Sequence, residues 1–579
     1  VDPNSDKLPT ARHVVGLVLD TLKDERNFLG LAVVYGLGIS LLSLATPIAV
    51  QVLINAVGYT GLAVPLVVLS LTLLVLLLAS GLLNALRVHL MELFARRFYA
   101  RMTSKMALKA LYAQQPFFQD DGRTALFNRY FDIMLIQKSL PVLFIGGFTV
   151  LLQAAVGFVL TAFYHPLFLA FNGVVIALIW LIWLIWGASA VKSSVRLSMN
   201  KHRTAAWLQA LAGSNGYYKS EAHIAYALRS TDDMTQGYVE AHKMHFRRHF
   251  AQTVGFLILY AVASAALLGL GGWLVIRGQL TLGQLVAAEL VLSVAFYGVS
   301  QLGTYLNYFY DLCAASEELS LLDSIEQEEP QSYELPTVGN GELVFADVRG
   351  EARGRPVHLD LRIPSGQTVF ARAESHGMQR LFTNLLKRFD NPKAGTLTFG
   401  GHDVMSIDVL ALRRFIIVLD RPTMVEMSIR DYLGLARRDA NSADMLDVLR
   451  LVGLDEVMGE LENGLDTQMS VTGWPLSTVE TMRLKLAAAI LARPRILVLN
   501  QLFDTLPEEV LTAALARLKA DTESRTTVIV FSANKPRMPF DLYLYLGTEE
   551  QSLVSSPEAL RKAENDLTGS RPVAELEKV

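Results

Sequence analysis

The chain has 579 residues, 52% hydrophobic and 18% charged, with a mean hydropathy of +0.33. Soluble domains average roughly 25% charged residues, so this composition excludes a disordered chain and a wholly soluble enzyme. Lys and Arg number 52 against 55 Asp and Glu, a net charge of −3, and no basic surplus points to nucleic acid. The single cysteine, Cys313, excludes a disulfide framework and a cysteine zinc site.

The average hides a split, because the long charge-free runs all lie before about residue 310. Val1-Asp2-Pro3 is left out of the fold reasoning, and no cleavable signal-peptide pattern is visible. A helix needs about 20 mostly apolar residues to cross a bilayer. Residues 28–57, 59–86, 139–191 and 250–276 carry no Asp, Glu, Lys or Arg, and 278–310 carries one acid, Glu289. His165-Pro166 breaks 139–191 in two, so six spans are predicted. The turns near Gly58, His165 and Arg277-Gly278 are short and nearly uncharged, whereas 87–138 and 192–249 are long and basic. The positive-inside rule assigns both basic loops to the cytoplasm, and even parity then puts both termini there. Residues 13–27 are predicted as an amphipathic helix on the cytoplasmic face.

The basic loops keep helical patterning and read as extensions of the spanning helices. They bend back at Gln114-Gln115-Pro116 through Asp121-Gly122 and at Gly213-Ser214-Asn215-Gly216. Acids inside spans mark functional sites by default, which makes Glu289 the candidate residue of a membrane pathway. The plainer reading is a side chain facing an aqueous cavity or the interface. Trp180, Trp183 and Trp186 share a helical stripe suited to interfacial anchoring.

Past Glu326-Gln327-Glu328-Glu329-Pro330 the pattern changes. Strands are predicted at 341–345, 357–363, 368–370, 496–499 and 527–531, with helices at 379–389, 479–491 and 508–519. Such alternation predicts an α/β domain with a mostly parallel sheet. The fold class is therefore a multi-domain membrane protein: an all-α six-helix transmembrane domain with long cytoplasmic extensions, followed by an α/β domain. The predicted division is an N-terminal amphipathic segment 1–27, membrane domain 28–322, linker 323–340, soluble domain 341–560 and tail 561–579.

Six spans with cytoplasmic extensions and one α/β domain resemble an ATP-binding-cassette (ABC) exporter half-transporter. Pro116-Phe117-Phe118 with Gly122 and Arg129 matches that family locally. Gly278-Gln279-Leu280-Thr281-Leu282-Gly283-Gln284-Leu285 is similar to the peptidase-less branch of type I secretion exporters. In the soluble half the frame is carried by Gly366-Gln367-Thr368-Val369, Asn384-Leu385-Leu386, Gly395-Thr396-Leu397, Arg483-Leu484, Ala487-Ala488-Ala489 and Ile496-Leu497-Val498-Leu499.

The resemblance also places the nucleotide-handling positions. A phosphate loop needs glycines for close backbone approach, a Lys for the β/γ-phosphates and a Ser or Thr for Mg²⁺. Here the loop reads Ala373, His376, Gly377, Met378, Gln379, Arg380, with Gln379 at the Lys position and Arg380 at the Ser/Thr position. The metal and water-polarising acids map to Asn500 and Gln501, the switch histidine to Ala533 and the glutamine of the connecting loop to Asp420. The signature reads Leu476-Ser477-Thr478-Val479-Glu480, with Thr478 and Val479 where two glycines belong. Arg372, His376 and Arg380 retain positive charge, which reads as anion attraction or as a solvated face.

The resemblance thus implies a degenerate cassette without ATP hydrolysis, with ATP and Mg²⁺ binding weak or absent. Three readings stand: a non-hydrolysing subunit of a transport or secretion complex, an ATP-independent scaffold or assembly subunit, and an active exporter with divergent motifs. The implied partners are a second copy or an ATPase-competent ABC subunit, with a periplasmic adaptor as a further possibility and no nucleic acid. The secretion-type resemblance and the lack of a long organellar presequence point to a bacterial inner membrane.

Overall fold

The computed structural model describes residues 10–59, 63–114, 118, 123–328, 341–521, 523–536 and 538–569. The chain divides into two compact units, Val1–Glu328 and Glu329–Val579.

The first unit has six helical stretches long and apolar enough to cross a membrane: Ala11–Ile54, Leu66–Leu111, Thr124–Ala162, Pro166–Gly213, Glu221–Ile276 and Leu282–Ser324. The boundaries between them follow local chemistry. His165 caps the fourth stretch, its Nδ1 accepting from the Leu167 N–H at 3.2 Å, and Pro166 occupies the first turn, where no N–H is needed. Gly278 takes φ +68° in the turn before the sixth, and Thr281 with Gln284 forms a reciprocal capping box. Leu71, Leu74, Leu78, Trp180 and Trp183 are exposed, as side chains facing lipid must be. Close helix approach uses small residues: a Cβ on Gly298 would lie 2.1 Å from Val150 Cγ1.

The N-terminal amphipathic segment forms as expected, with shifted bounds. It is a helix, Ala11–Leu22, followed by a 3-10 turn, Lys23–Glu25. Its apolar stripe Val14, Val18 and Leu22 is buried in one cluster with Phe94, Phe98 and Cys313, so protein rather than lipid takes that face. Of the two bends, the first falls largely on residues 115–117 and 119–122, outside the described residues, together with Pro116, Phe117 and Gly122. The second leaves the helix at Gly213, makes a 3-10 turn over Asn215–Tyr218 and restarts at Glu221. The start of the predicted linker is not free chain. The Gln114 N–H donates to Glu326 O at 2.9 Å and the Glu328 N–H to Tyr112 O at 2.7 Å. Residues 329–340 lie outside the described residues.

The second unit contains β1 (Leu343–Ala352), β2 (Arg355–Ile363), β3 (Thr368–Ala373), β4 (Ala394–Phe399), β5 (His402–Asp403), β6 (Ile416–Leu419), β7 (Ile496–Leu499), β8 (Thr527–Phe531), β9 (Leu542–Leu546) and β10 (Gln551–Val554). They form two sheets, ordered β2-β1-β4-β5 and β10-β9-β3-β8-β7-β6. The expectation of one mostly parallel sheet holds for the second sheet, where β9, β3, β8, β7 and β6 run parallel; the first is antiparallel throughout. Every residue of β7 and β8 is buried, the condition for a continuous aliphatic run to be a central strand. The predicted boundary at 560 falls within a helix, Pro557–Gly569, whose Leu560 is buried against Phe370, Tyr543 and Tyr545.

Candidate functional site

The order β3-β8-β7-β6 brings four chain segments to the carboxyl ends of adjacent parallel strands, where open α/β sheets bind their ligands. They are the loop after β3, Ser532-Ala533-Asn534 after β8, Asn500-Gln501 after β7 and Asp420 after β6. Motif spacing pointed to all four, and one strand edge carries them.

The loop after β3 is fastened by its own hydrogen bonds. The Glu374 N–H donates to Leu546 O at 2.9 Å, while its Oε2 accepts from the Thr548 N–H at 2.9 Å. Ser375 is the N-cap of the helix His376–Lys387, and its backbone carbonyl accepts from the N–H groups of Met378 and Gln379 at 3.1 and 3.2 Å. One N–H of the opening turn, that of Met378, is therefore already engaged. Gly377 and Met378 are buried; a Cβ on Gly377 would lie 3.3 Å from Arg353 Cγ, so that arginine's stem covers the turn. Gln379 is 3% exposed and its Oε1 has no hydrogen-bond partner among the described residues, while His376 and Arg380 are exposed. Motif comparison passes over Glu374 and Ser375. The signal available was an acid inside a loop that would have to face phosphate.

Asn500 is 6% exposed and both ends of its amide are used. Nδ2 donates to Asp420 O at 2.7 Å and Oδ1 accepts from the Leu502 N–H at 2.9 Å, so the partners themselves fix which way the amide points. No carboxylate stands at 500 or 501. Burial raises the Asp420 carboxyl above its ordinary range, opposed by Arg421, Lys485 and Lys387. Burial, with Arg413 nearby, pulls the Lys387 ammonium down to about 8 while its Nζ donates to Ile416 O at 3.0 Å. Lys485, on the helix Thr478–Ala492, reaches the Arg421 carbonyl at 2.6 Å.

The switch position is equally occupied. The Ala533 N–H and Asn534 Nδ2 both donate to Asp504 Oδ2, at 3.3 and 3.2 Å. Arg372, read as a solvated or anion-attracting cation, is neither. It pairs with Glu564 at 2.9 Å and donates to the carbonyls of Ala533 and Asn534 at 3.3 and 2.8 Å.

Of the signature residues, Leu476 packs with Met424 and Ile429 in a cluster that also takes Leu497 and Leu499 of β7, whereas Met378 packs with Leu381 and Phe382 in another. Ser477 and Glu480 form a capping box: Glu480 Oε2 takes the Ser477 N–H at 2.7 Å and Ser477 Oγ takes the Glu480 N–H at 3.3 Å. A carboxylate thus sits at this helix N-terminus. Glu289 lies in the sixth spanning helix, its Oε1 3.3 Å from Ser293 Oγ and its Oε2 enclosed without a hydrogen-bond partner among the described residues.

A family model, the ABC transporter transmembrane region, matches residues 29–207. Superposition on a bacterial Atm1-family ABC exporter with ATP bound gives a TM-score of 0.80 over 95% of this chain and 99% of that one, at 18% identity. The chain has the architecture of an ABC exporter half-transporter. Its relatives include the cyclolysin secretion/processing ATP-binding protein CyaB of Bordetella pertussis, 25% identical over 90% of this chain and 74% of the relative. The alpha-hemolysin translocation ATP-binding protein HlyB of Escherichia coli O157:H7 is 25% identical over 54% of this chain and 45% of its own length. The chain is thus a multi-pass membrane protein similar to type I secretion ATP-binding proteins.

Proposed function

We propose that this half-transporter is a non-hydrolysing subunit of a transport or secretion complex in a bacterial inner membrane. Its cassette occupies the cytoplasm and binds ATP and Mg²⁺ weakly or not at all. The observation that carries the reading is Asn500: its buried amide is committed to Asp420 O and the Leu502 N–H, leaving no anionic oxygen at that position for a metal ion. Three further features support it. Ser375 takes the Met378 N–H of the opening turn, Glu480 places a carboxylate at the N-terminus of the signature helix, and Ala533 offers no imidazole. These residues do not fit a magnesium-nucleotide.

Composite sites in ABC cassettes take the phosphate loop of one subunit and the signature of the other. A homodimer of this chain then lacks a competent site, and pairing with an ATPase-competent ABC subunit leaves each site half supplied. Because both halves are altered, a second reading follows, an ATP-independent membrane scaffold or assembly subunit. Mg²⁺-ATP binding and turnover by the full chain in lipid nanodiscs, alone and with its co-purifying membrane partner, tests both. The first reading expects no binding or turnover alone and ATP-driven transport only in the mixed complex. Transport-independent assembly favours the scaffold, and hydrolysis by the chain alone refutes both.

A further inference from the structure

A cavity of about 410 Å³ lies between the second and third spanning helices, lined by Met91, Met134, Pro141 and Ile145, with Glu92 and Lys138 among its polar groups. It sits at a membrane edge. Val88 on its wall follows the charge-free run 59–86 by two residues, and Lys138 immediately precedes the run 139–191. Val88 and Met134 are both more than two-fifths exposed, at 46% and 42%, as is Leu82 two turns deeper at 63%. The lipid-facing surface therefore continues into the cavity.

The backbone explains the space. Pro141 interrupts the helix Tyr130–Val142, and the next turn, Leu143–Gly147, is π-helical. Such widened turns occur chiefly at functional positions. This one is held by the sixth spanning helix: a Cβ on Gly146 would lie 2.6 Å from Tyr305 Cε1.

The charges are unequal. Glu92 is matched by Arg96, whose Nε lies 2.9 Å from its Oε1. Lys138 makes no hydrogen bond or ion pair among the described residues, and the Asp311 carboxylate lies near enough to feel its charge. The rim thus carries one cation without an ion-pair partner among the described residues, above an apolar wall whose two methionines adapt to irregular chains. We propose that this cavity is a phospholipid site, with an acyl chain against Met91, Met134, Pro141 and Ile145 and a single phosphodiester on Lys138. An ammonium donates to phosphate as a compact charge, and the volume is in the range of small-molecule sites.

The test is native mass spectrometry of the full chain released from nanodiscs of phosphatidylethanolamine and phosphatidylglycerol. Lys138→Glu removes the cation and Met134→Trp fills the cavity; both side chains are exposed, so neither change attacks the core. Leu78→Trp, on the lipid-facing surface, is the control. Retained phospholipid falls roughly ten-fold in each of the first two variants, the loss expected for one charged hydrogen bond or its partner chain, and is unchanged in the control. Full retention in either variant overturns the site, and equal loss in the control shows non-specific annular lipid and overturns it too.

Discussion

Replacing Asn500 with Asp writes back the acid that ABC cassettes place there, and the geometry predicts that it harms the fold rather than restoring chemistry. Asn500 Nδ2 donates to Asp420 O at 2.7 Å. In the variant a carboxylate oxygen faces that carbonyl oxygen, and a buried acceptor loses its donor. Losing a hydrogen bond and leaving its partner unsatisfied costs roughly 1–3 kcal/mol; repulsion between the two oxygens puts the expected value at the upper end, about 2–3 kcal/mol. For a unit of 150–250 residues that corresponds to a fall of about 4–12 °C in the cassette transition, measured by calorimetry on the full chain in nanodiscs. A protonated Asp can donate to Asp420 O as the amide does, so the folded state raises the new carboxyl's pKa. The folded variant then binds more protons than the unfolded one between its raised pKa and the unfolded value near 3.9. The deficit is therefore full above the raised pKa and shrinks as pH falls through it. An Asn500→Asp chain as stable as wild type at neutral pH, a deficit independent of pH, or newly gained Mg²⁺-dependent ATP turnover would each refute the reasoning.

Lys387→Met removes an ammonium whose pKa is pulled from the usual 10.5 to about 8. A lowered lysine pKa means the unfolded chain binds more protons between those values, so wild-type stability rises from about pH 8 to 10.5. The stability of the variant relative to wild type should therefore decline across that window in urea titrations, and a gap that stays constant contradicts it. Ser477→Ala deletes the exposed half of the capping box on the helix Thr478–Ala492. It should cost about 1 kcal/mol, seen as a drop of about 2–4 °C in the same cassette transition; no change would mean the cap is not formed in solution.

The six spanning stretches were legible because crossing a bilayer is decided by composition over one window, and charge-free runs say so without reference to the rest of the fold. β7 and β8 were legible for a related reason: Ile496–Leu499 and Thr527–Phe531 are apolar or β-branched throughout and buried on both faces. β4, β5, β6, β9 and β10 lay unread. β9 alternates Leu and Tyr, His402–Asp403 is two polar residues long, and pairing rather than propensity makes such segments strands. The segment 13–27 had a legible amphipathic period and no legible partner, because periodicity reveals an apolar face but not what covers it.

The sequence by itself determined which residue types stand at the nucleotide-handling positions: amides at 500 and 501, alanine at 533, Gln379 in the loop and acids at 374 and 480. Only the tertiary structure decided that these groups satisfy one another. Asn500 finds its acceptor 80 residues away on Asp420, and Arg372 finds Ala533, Asn534 and Glu564 at separations of 161, 162 and 192. Those meetings depend on the order β3-β8-β7-β6, which packing sets over the whole domain and which no local pattern of residues contains.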